Sequence, residues 1–270
     1  MAGKICVLLL ICLSIFSGCY NDIFGVFRST DLDIRLEARN TFHFLSPEER
    51  NLSLGDEYSF IVLSDTHIRN GDARGLERLK DVIESDSSIR FVVVLGDITQ
   101  TGSRGEIETF ISVARSFPVP VFPVIGNHDV FFGNWPNWRD LIGSTRYRIN
   151  ADTATLFMLD NANSFFGKAQ LDWLENEIKT ANGRVFVFAH LNLFKTSPLR
   201  TQLSCQRERA RILSILRGRA DIMFMGHEHL RNVTEVGGVV YINIERFFGN
   251  YTYLLVSVTE AGVNYQFNRL

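Results

Sequence analysis

The chain predicts a mixed α/β (α+β) fold, a β-sandwich with a βαβ half and a more antiparallel half, flanked by helices. Three observations carry that expectation. From Ser59 onward, short apolar runs alternate with amphipathic helical stretches, as in parallel sheets covered on both faces. Toward the C-terminus, strand patterns follow one another with glycine turns between them. Finally, five apolar runs each end in a metal-type side chain. Residues 60–64 lead into Asp65-Thr66-His67, 91–96 into Asp97, and 121–126 into Asn127-His128-Asp129; 185–189 lead into His190, and 222–226 into His227-Glu228-His229. Open α/β sheets place their chemistry just past the carboxyl ends of strands.

With 270 residues, 46% of them hydrophobic, the chain can bury one sizeable core. A net charge of −2 leaves no large basic surface, so no long nucleic acid is expected as a partner. Of the six histidines, all but His43 lie at the strand ends just named. Three of the four cysteines (Cys6, Cys12 and Cys19) fall within the first twenty residues, leaving Cys205 alone in the body of the chain. That excludes a disulfide framework inside the domain, and a cysteine-based zinc site with it.

Taken in order, residues 1–18 read as a secretory signal peptide, with Lys4 at the positive end and an apolar stretch over 5–16. The stretch is short for a membrane span. Phe16-Ser17-Gly18-Cys19 resembles the bacterial lipoprotein signal, in which a cysteine after small residues is lipidated and becomes the new N-terminus. The resemblance implies a protein exported to the bacterial cell envelope and anchored to a membrane through lipid on Cys19; an ordinary cleaved signal or an uncleaved anchor is the alternative. Residues 19–56 then form a lipidated N-terminus, tether and accessory strand, since Leu32, Ile34 and Leu36 alternate with Asp33, Arg35 and Glu37. Ser46-Pro47-Glu48-Glu49 has the form of a capping box and predicts a short helix.

The main domain spans 57–270. Leu76, Leu79, Val82 and Ile83 predict its first helix, and Ser103-Arg104-Gly105-Glu106 caps a second with Ile107, Phe110, Ile111 and Ala114 inward. Leu171, Leu174 and Ile178 mark a third helix, and Ala210, Leu213 and Leu216 a fourth. Strand patterns lie at 146–150 and 155–160, then at 239–244, 252–258 and 263–267, with turns at Gly237-Gly238 and Ala261-Gly262.

The ordered set Asp65-x-His67, Gly96-Asp97, Gly126-Asn127-His128-Asp129, His190 and Gly226-His227-x-His229 resembles the calcineurin-like metallophosphoesterase superfamily, from about Ser59 to the C-terminus. That implies a four-layer metallophosphatase sandwich and a hydrolase of phosphate esters. Nitrogen and oxygen ligands without thiolate suit two metal ions such as Mn, Fe or Zn. A pair of such ions clamps a phosphoryl group and holds a bridging hydroxide for in-line attack. The resemblance assigns Asp65, His67 and His229 to one ion, Asn127, His190 and His227 to the other, and Asp97 as the bridge. It makes His128 catalytic, over the substrate, and Asp129 a residue that fixes the loop. The glycines Gly96, Gly126 and Gly226 let the backbone turn into the site.

Three departures disfavour a protein phosphatase, one of them Asp129 where that branch has glutamate. Gln100 stands where that branch has the acid partnering the catalytic histidine, and Thr101 where it has a phosphate-binding arginine. Asn192 replaces a common proline, which leaves the His190 loop shape open. The aromatic run 131–138 can stack a base beside the site, although packing of the following helix is the plainer reading. Lys195 and Arg200 are read as solvated loop cations. The expected substrate is a small phosphate ester, with nucleotide-type diesters first; a phosphomonoesterase of the same fold, or a non-catalytic surface-binding lipoprotein, are the alternatives.

Overall fold

The structure, a computed structural model, describes residues 32–194 and 203–270. The signal peptide, Cys19 and the tether up to residue 31 lie outside the described residues, as do Lys195 and Arg200. Strands β12 (Gly262–Arg269), β11 (Thr252–Thr259), β2 (Tyr58–Leu63), β3 (Ile89–Leu95) and β4 (Val121–Val124) form one sheet in that order. Strands β2, β3 and β4 run parallel, and β11 is antiparallel to both of its neighbours. The second sheet has the order β1 (Asn51–Leu52), β5 (Tyr147–Ala151), β6 (Ala154–Met158), β7 (Arg184–Phe188), β8 (Ile222–Met225), β10 (Val239–Asn243) and β9 (Asn232–Val236). At its centre β6, β7, β8 and β10 are parallel.

Phenylalanines lock the two sheets face to face. Phe60 on β2 stacks on Phe91 of β3, ring centroids 4.6 Å apart, and meets Phe186 and Phe224 of the other sheet at 5.1 and 5.9 Å. All four are fully buried, and each such ring contributes about 1.5–3 kcal/mol of transfer free energy. On the outer face of the five-stranded sheet lie α2 (Arg74–Ser85), burying Leu76, Leu79 and Ile83, and α3 (Arg104–Ala114), burying Ile107, Phe110 and Ala114. Helices α5 (Lys168–Glu177) and α6 (Gln206–Leu216) cover Met223, Met225 and Tyr241 on the other sheet. The result is the expected four layers: helix, sheet, sheet, helix.

Several local expectations are corrected. Residues 32–37 form a helix, α1 (Leu32–Glu37), and not an accessory strand. Its inward residues are Leu32, Arg35 and Leu36, at helical spacing, while Ile34 is 54% exposed. The cause is tertiary: Arg35 donates twice to Asp160, at 2.8 Å each, with both side chains fully buried. The Ser46 capping box forms both of its bonds, Ser46 N–H to Glu49 Oε2 at 2.7 Å and Glu49 N–H to Ser46 Oγ at 3.2 Å. It closes only a turn, because Asn51 and Leu52 leave at once to pair with Asn150 and Ala151. Helix α6 is present but rotated from the expected face: Glu208, Ile212, Ile215 and Leu216 point inward, and Ala210 is exposed. Strand β9, which lines up with β10 through the Gly237-Gly238 turn, was not expected. Helix α4 (Trp135–Leu141) buries Trp135 and Trp138, so these two rings pack the core. Among the described residues, no helix is long and apolar enough to cross a membrane.

Candidate metal centre

The structure brings Asp65, His67, Asp97, Asn127, His128, His190, His227 and His229 into one cluster. Each follows the carboxyl end of one of five strands: β2, β3 and β4 from one sheet, β7 and β8 from the other. The loops are forced into unusual backbone. Asp65, His67, Asp97, His227 and His229 all have positive φ, between 44° and 66°. Aspartate and histidine tolerate that region better than bulky residues do, and such strain concentrates at functional sites. Of the three glycines, only Gly96 needs its freedom for a positive φ, 74°. Gly126 and Gly226 are there for space. A Cβ on Gly126 would lie 2.0 Å from the Asp97 nitrogen, and one on Gly226 1.8 Å from Ser64 Oγ.

Three overlapping groups of donor atoms result: Asp65, His67 and His229; His67, Asp97 and His128; Asp97, His190 and His227. His229 Nε2 is 3.1 Å from Asp65 Oδ1, and His67 Nε2 is 3.8 Å from that same oxygen. His190 Nε2 is 3.2 Å from each of Asp97 Oδ2, Asn127 Oδ1 and His227 Nδ1. Asp97 Oδ2 is the shared atom, because it also lies 3.9 Å from both His67 Nε2 and His128 Nε2. The outward atoms of Asp65, Asp97 and His190 are spoken for. Asp65 Oδ2 accepts from Ser64 Oγ and the His227 N–H, Asp97 Oδ1 accepts from the His128 N–H, and His190 Nδ1 donates to the Leu95 carbonyl at 2.7 Å. Second bonds of this kind fix which ligand atom faces the centre.

Electrostatics test whether metal suits this pocket. Asp65 is fully buried and Asp97 nearly so, and among the described residues neither has a lysine or arginine partner. Burial alone would raise Asp97, but the imidazoles of His190, His128 and His67 outweigh it and hold the carboxyl far below its usual range. Asp65 behaves likewise: burial is overcome by the His229 hydrogen bond and the charge on His190. Burial works to lower His190, yet Asp97 and Asp65 carry it up to about 9. Burial lowers His67, and burial together with His190 lowers His227 to about 4. Carboxylates held low and imidazoles of His67 and His227 held low, in a buried pocket that no lysine or arginine of the described residues enters, suit a cation. Among the described residues, the buried Nδ1 atoms of His67 and His229 have no hydrogen-bond partner. The residues fit a metal.

Asp129 fixes the loop, as expected. Its carboxylate accepts from the N–H groups of Ile98, Thr99 and Gly126 and from Thr99 Oγ1. Burial and the nearby Asp97 push it up to about 6. The missing acid at Gln100 is replaced by backbone, since His128 Nδ1 lies 2.8 Å from the Gln100 carbonyl oxygen. Thr101 faces away, with its N–H and Oγ1 both donating to Glu106. Asn192 holds the His190 loop by accepting from the Phe194 N–H at its side chain and from the Leu203 N–H at its carbonyl. Sequence reasoning missed Asn161, which clamps the end of β7: its Oδ1 accepts from the N–H groups of His190 and Leu191, and its Nδ2 donates to the Leu191 carbonyl. The signal was present, for Asp160-Asn161 follow the apolar run of β6 as polar pairs follow the other strands. Phe131 lies 4.4 Å from the His128 ring, centroid to centroid, and Phe132 is 73% exposed.

Such a sandwich, carrying this cluster at its strand ends, defines a metallophosphoesterase. Residues 58–231 match the calcineurin-like phosphoesterase family, and the chain belongs to it. A probable cyclic nucleotide phosphodiesterase of Fibrobacter succinogenes (strain ATCC 19169 / S85) is 28% identical over 187 residues, 62% of this chain and 71% of that relative. A dimetal phosphatase from Danio rerio shares the fold with a TM-score of 0.61 at 16% identity, over 78% of this chain and 98% of its own. A purple acid phosphatase from yellow lupin (Lupinus luteus) seeds gives 0.66 at 10% identity, over 81% of this chain and 52% of its own.

Proposed function

We propose that the chain is a binuclear phosphodiesterase of small nucleotide-type esters. Asp65, His67 and His229 serve one ion, Asn127, His190 and His227 the other, and Asp97 both. The observation that carries this reading is Asp97 Oδ2, a single oxygen 3.2 Å from His190 Nε2 and 3.9 Å from His67 Nε2, facing both ligand groups at once. Manganese, iron and zinc all suit the donor set. When bound, two such ions supply the positive charge that draws in a phosphoryl group and acidifies the attacking water.

The protein's own residues then divide the remaining work. The Gln100 carbonyl can only accept, so His128 Nδ1 keeps its proton in either charge state. Its Nε2, on a side chain 25% exposed, is the atom that hands a proton to the departing alkoxide. Phe131 packs on that ring and excludes water from one side. With Thr101 bonded to Glu106, no arginine grips the dianion of a monoester at this position, which favours diesters. A relative named as a probable cyclic nucleotide phosphodiesterase supports the same substrate class. Profiling of the metal-loaded protein against phosphomonoesters and diesters tests it: diesters should be the faster class, and far faster hydrolysis of monoesters would overturn the assignment.

Export and a lipid anchor on Cys19 are part of the proposal. They are supported by Lys4, the apolar residues 5–16 and the Ser17-Gly18-Cys19 ending. Cys19→Ser should abolish partition into detergent or stall processing, whereas a water-soluble mature protein with another N-terminus refutes the anchor.

A further inference from the structure

A second charged cavity shares no residue with the metal centre. A cleft of about 420 Å³ opens between the turn after α1, the outer rim of β5 and the end of α5. Four guanidiniums line it, from Arg39, Arg50, Arg146 and Arg148, against one carboxylate, Glu177. That local excess of three positive charges stands on a chain whose net charge is −2.

Only Arg148 has a carboxylate partner among the described residues, Glu177 Oε2 at 3.1 Å. Arg50 lies 4.4 Å over the Phe42 ring, and Arg146 4.8 Å over that of Trp173. These stacks orient two guanidiniums; Arg50 Nε donates to the Ser46 carbonyl at 3.3 Å, and neither guanidinium forms an ion pair among the described residues. Burial lowers the pKa of Arg146 and the neighbouring Arg39 lowers it further, outweighing the opposite pull of Asp160 and Glu177. A half-buried guanidinium facing a second cation is costly unless an anion joins them. The fork of an arginine matches phosphate oxygens two at a time, and it is weakly hydrated enough to do so in a cleft. Because the two rings already carry guanidiniums, what remains to be recognised is the anion itself, not a base.

We propose that this cleft binds a phosphate-bearing anion of two or more negative charges, as a site separate from the metal centre. Its position sharpens the question of source. Arg39 follows α1 by two residues, so the cleft lies where the chain enters the domain from its N-terminal stretch. A phosphate there can belong to an anionic phospholipid headgroup or to a free ion in solution.

The experiment has two arms and uses the purified, metal-loaded full chain. In one, calorimetric titration with inorganic phosphate compares wild type with Arg39→Ala and Arg146→Lys. The first removes an exposed side chain that has no ion pair among the described residues, and the second keeps a positive charge beside Trp173, so both proteins should fold. In the other, sedimentation with phosphatidylcholine vesicles, with or without phosphatidic acid, measures the preference for the anionic surface. Each variant should weaken one of these signals about tenfold, as expected for loss of charge-assisted hydrogen bonds, and the signal should fade with added salt. Loss in the titration assigns a soluble anion, and loss of the vesicle preference assigns a headgroup. Hydrolysis of a nitrophenyl diester should be unchanged in both variants. The proposal is overturned if both arms match wild type, or if hydrolysis falls in step with binding, because the arginines would then serve the metal centre.

Discussion

Asp160 on one side, and Asp65 with Asp97 on the other, are buried carboxylates completed in different ways. Asp160 meets Arg35 in a two-pronged pair at 2.8 Å, both side chains fully buried, and further satisfies the Ala162 N–H. Charge is balanced within the chain. Asp65 and Asp97 are as deeply buried, but their neighbours are imidazoles and no guanidinium or ammonium from the described residues reaches them. The first cluster is closed and holds α1 to the body of the domain. In the second, the charge of Asp97 and Asp65 raises His190 against its burial, and imidazoles are the groups that face the carboxylates. The ion pair of Asp160 serves the fold, whereas the donor atoms around Asp65 and Asp97 converge on one another with the chemistry of metal ligands.

That contrast can be broken or sharpened by experiment. The largest expected effect is that of Asp97→Asn, which should abolish hydrolysis and empty both metal positions together, as read by metal analysis and rate. Full occupancy in that variant would break the assignment of Asp97 as the shared ligand. Next, His128→Ala should cost about 10²–10⁴-fold on esters with alkyl or nucleoside leaving groups, and much less on nitrophenyl esters, with metal content unchanged. A loss independent of leaving group would remove His128 from the role of acid.

Arg35→Ala should cost about 3–5 kcal/mol in denaturant unfolding, since it strands Asp160 as an uncompensated buried charge. Arg35→Met combined with Asp160→Leu should recover most of that, because an apolar pair of similar volume replaces a closed ion pair without a charge left over. Metal content per folded molecule should stay at the wild-type level in these proteins. Removing metal by chelation should cost about 2.7 kcal/mol relative to protein held at a hundredfold excess over the dissociation constant. The same decrement in the Arg35→Ala background would show that the two clusters act independently. The smallest effect belongs to Gln100→Ala, whose backbone carbonyl still meets His128 Nδ1. Near-wild-type rates are expected there, and a loss approaching that of His128→Ala would mean that the side chain matters after all.

The strand ends carrying the centre were legible because two signals coincide: an apolar run of strand length, then residues that a core has no use for. All eight expected residues do converge. What escaped the sequence was decided by partners distant along the chain or by groups with no residue code. Leu32, Ile34 and Leu36 alternate as a strand would, yet Arg35 is drawn inward by Asp160, 125 residues away, and the segment coils to reach it. Helix α6 turns Glu208 inward because its carboxylate accepts from the N–H groups of Phe166 and Gly167. The partner of His128 is a main-chain oxygen, which substitution of Gln100 by any residue but proline would leave in place.

The placement of β11 beside β2 bears on how this protein is made. Phe60 pairs with Val256, and the N–H groups of Phe247 and Phe248 donate to the carbonyls of Ser64 and Asp65. The strand that delivers Asp65 meets β3 soon after it in sequence, but its other neighbour, β11, only about 190 residues later. A chain cut short before Thr252 would keep every candidate ligand and still leave β2 with a bare apolar edge, the kind of surface that recruits other chains. Pairing at such long sequence separation also slows folding. Until β11 is delivered, that edge of β2 stays open to other chains.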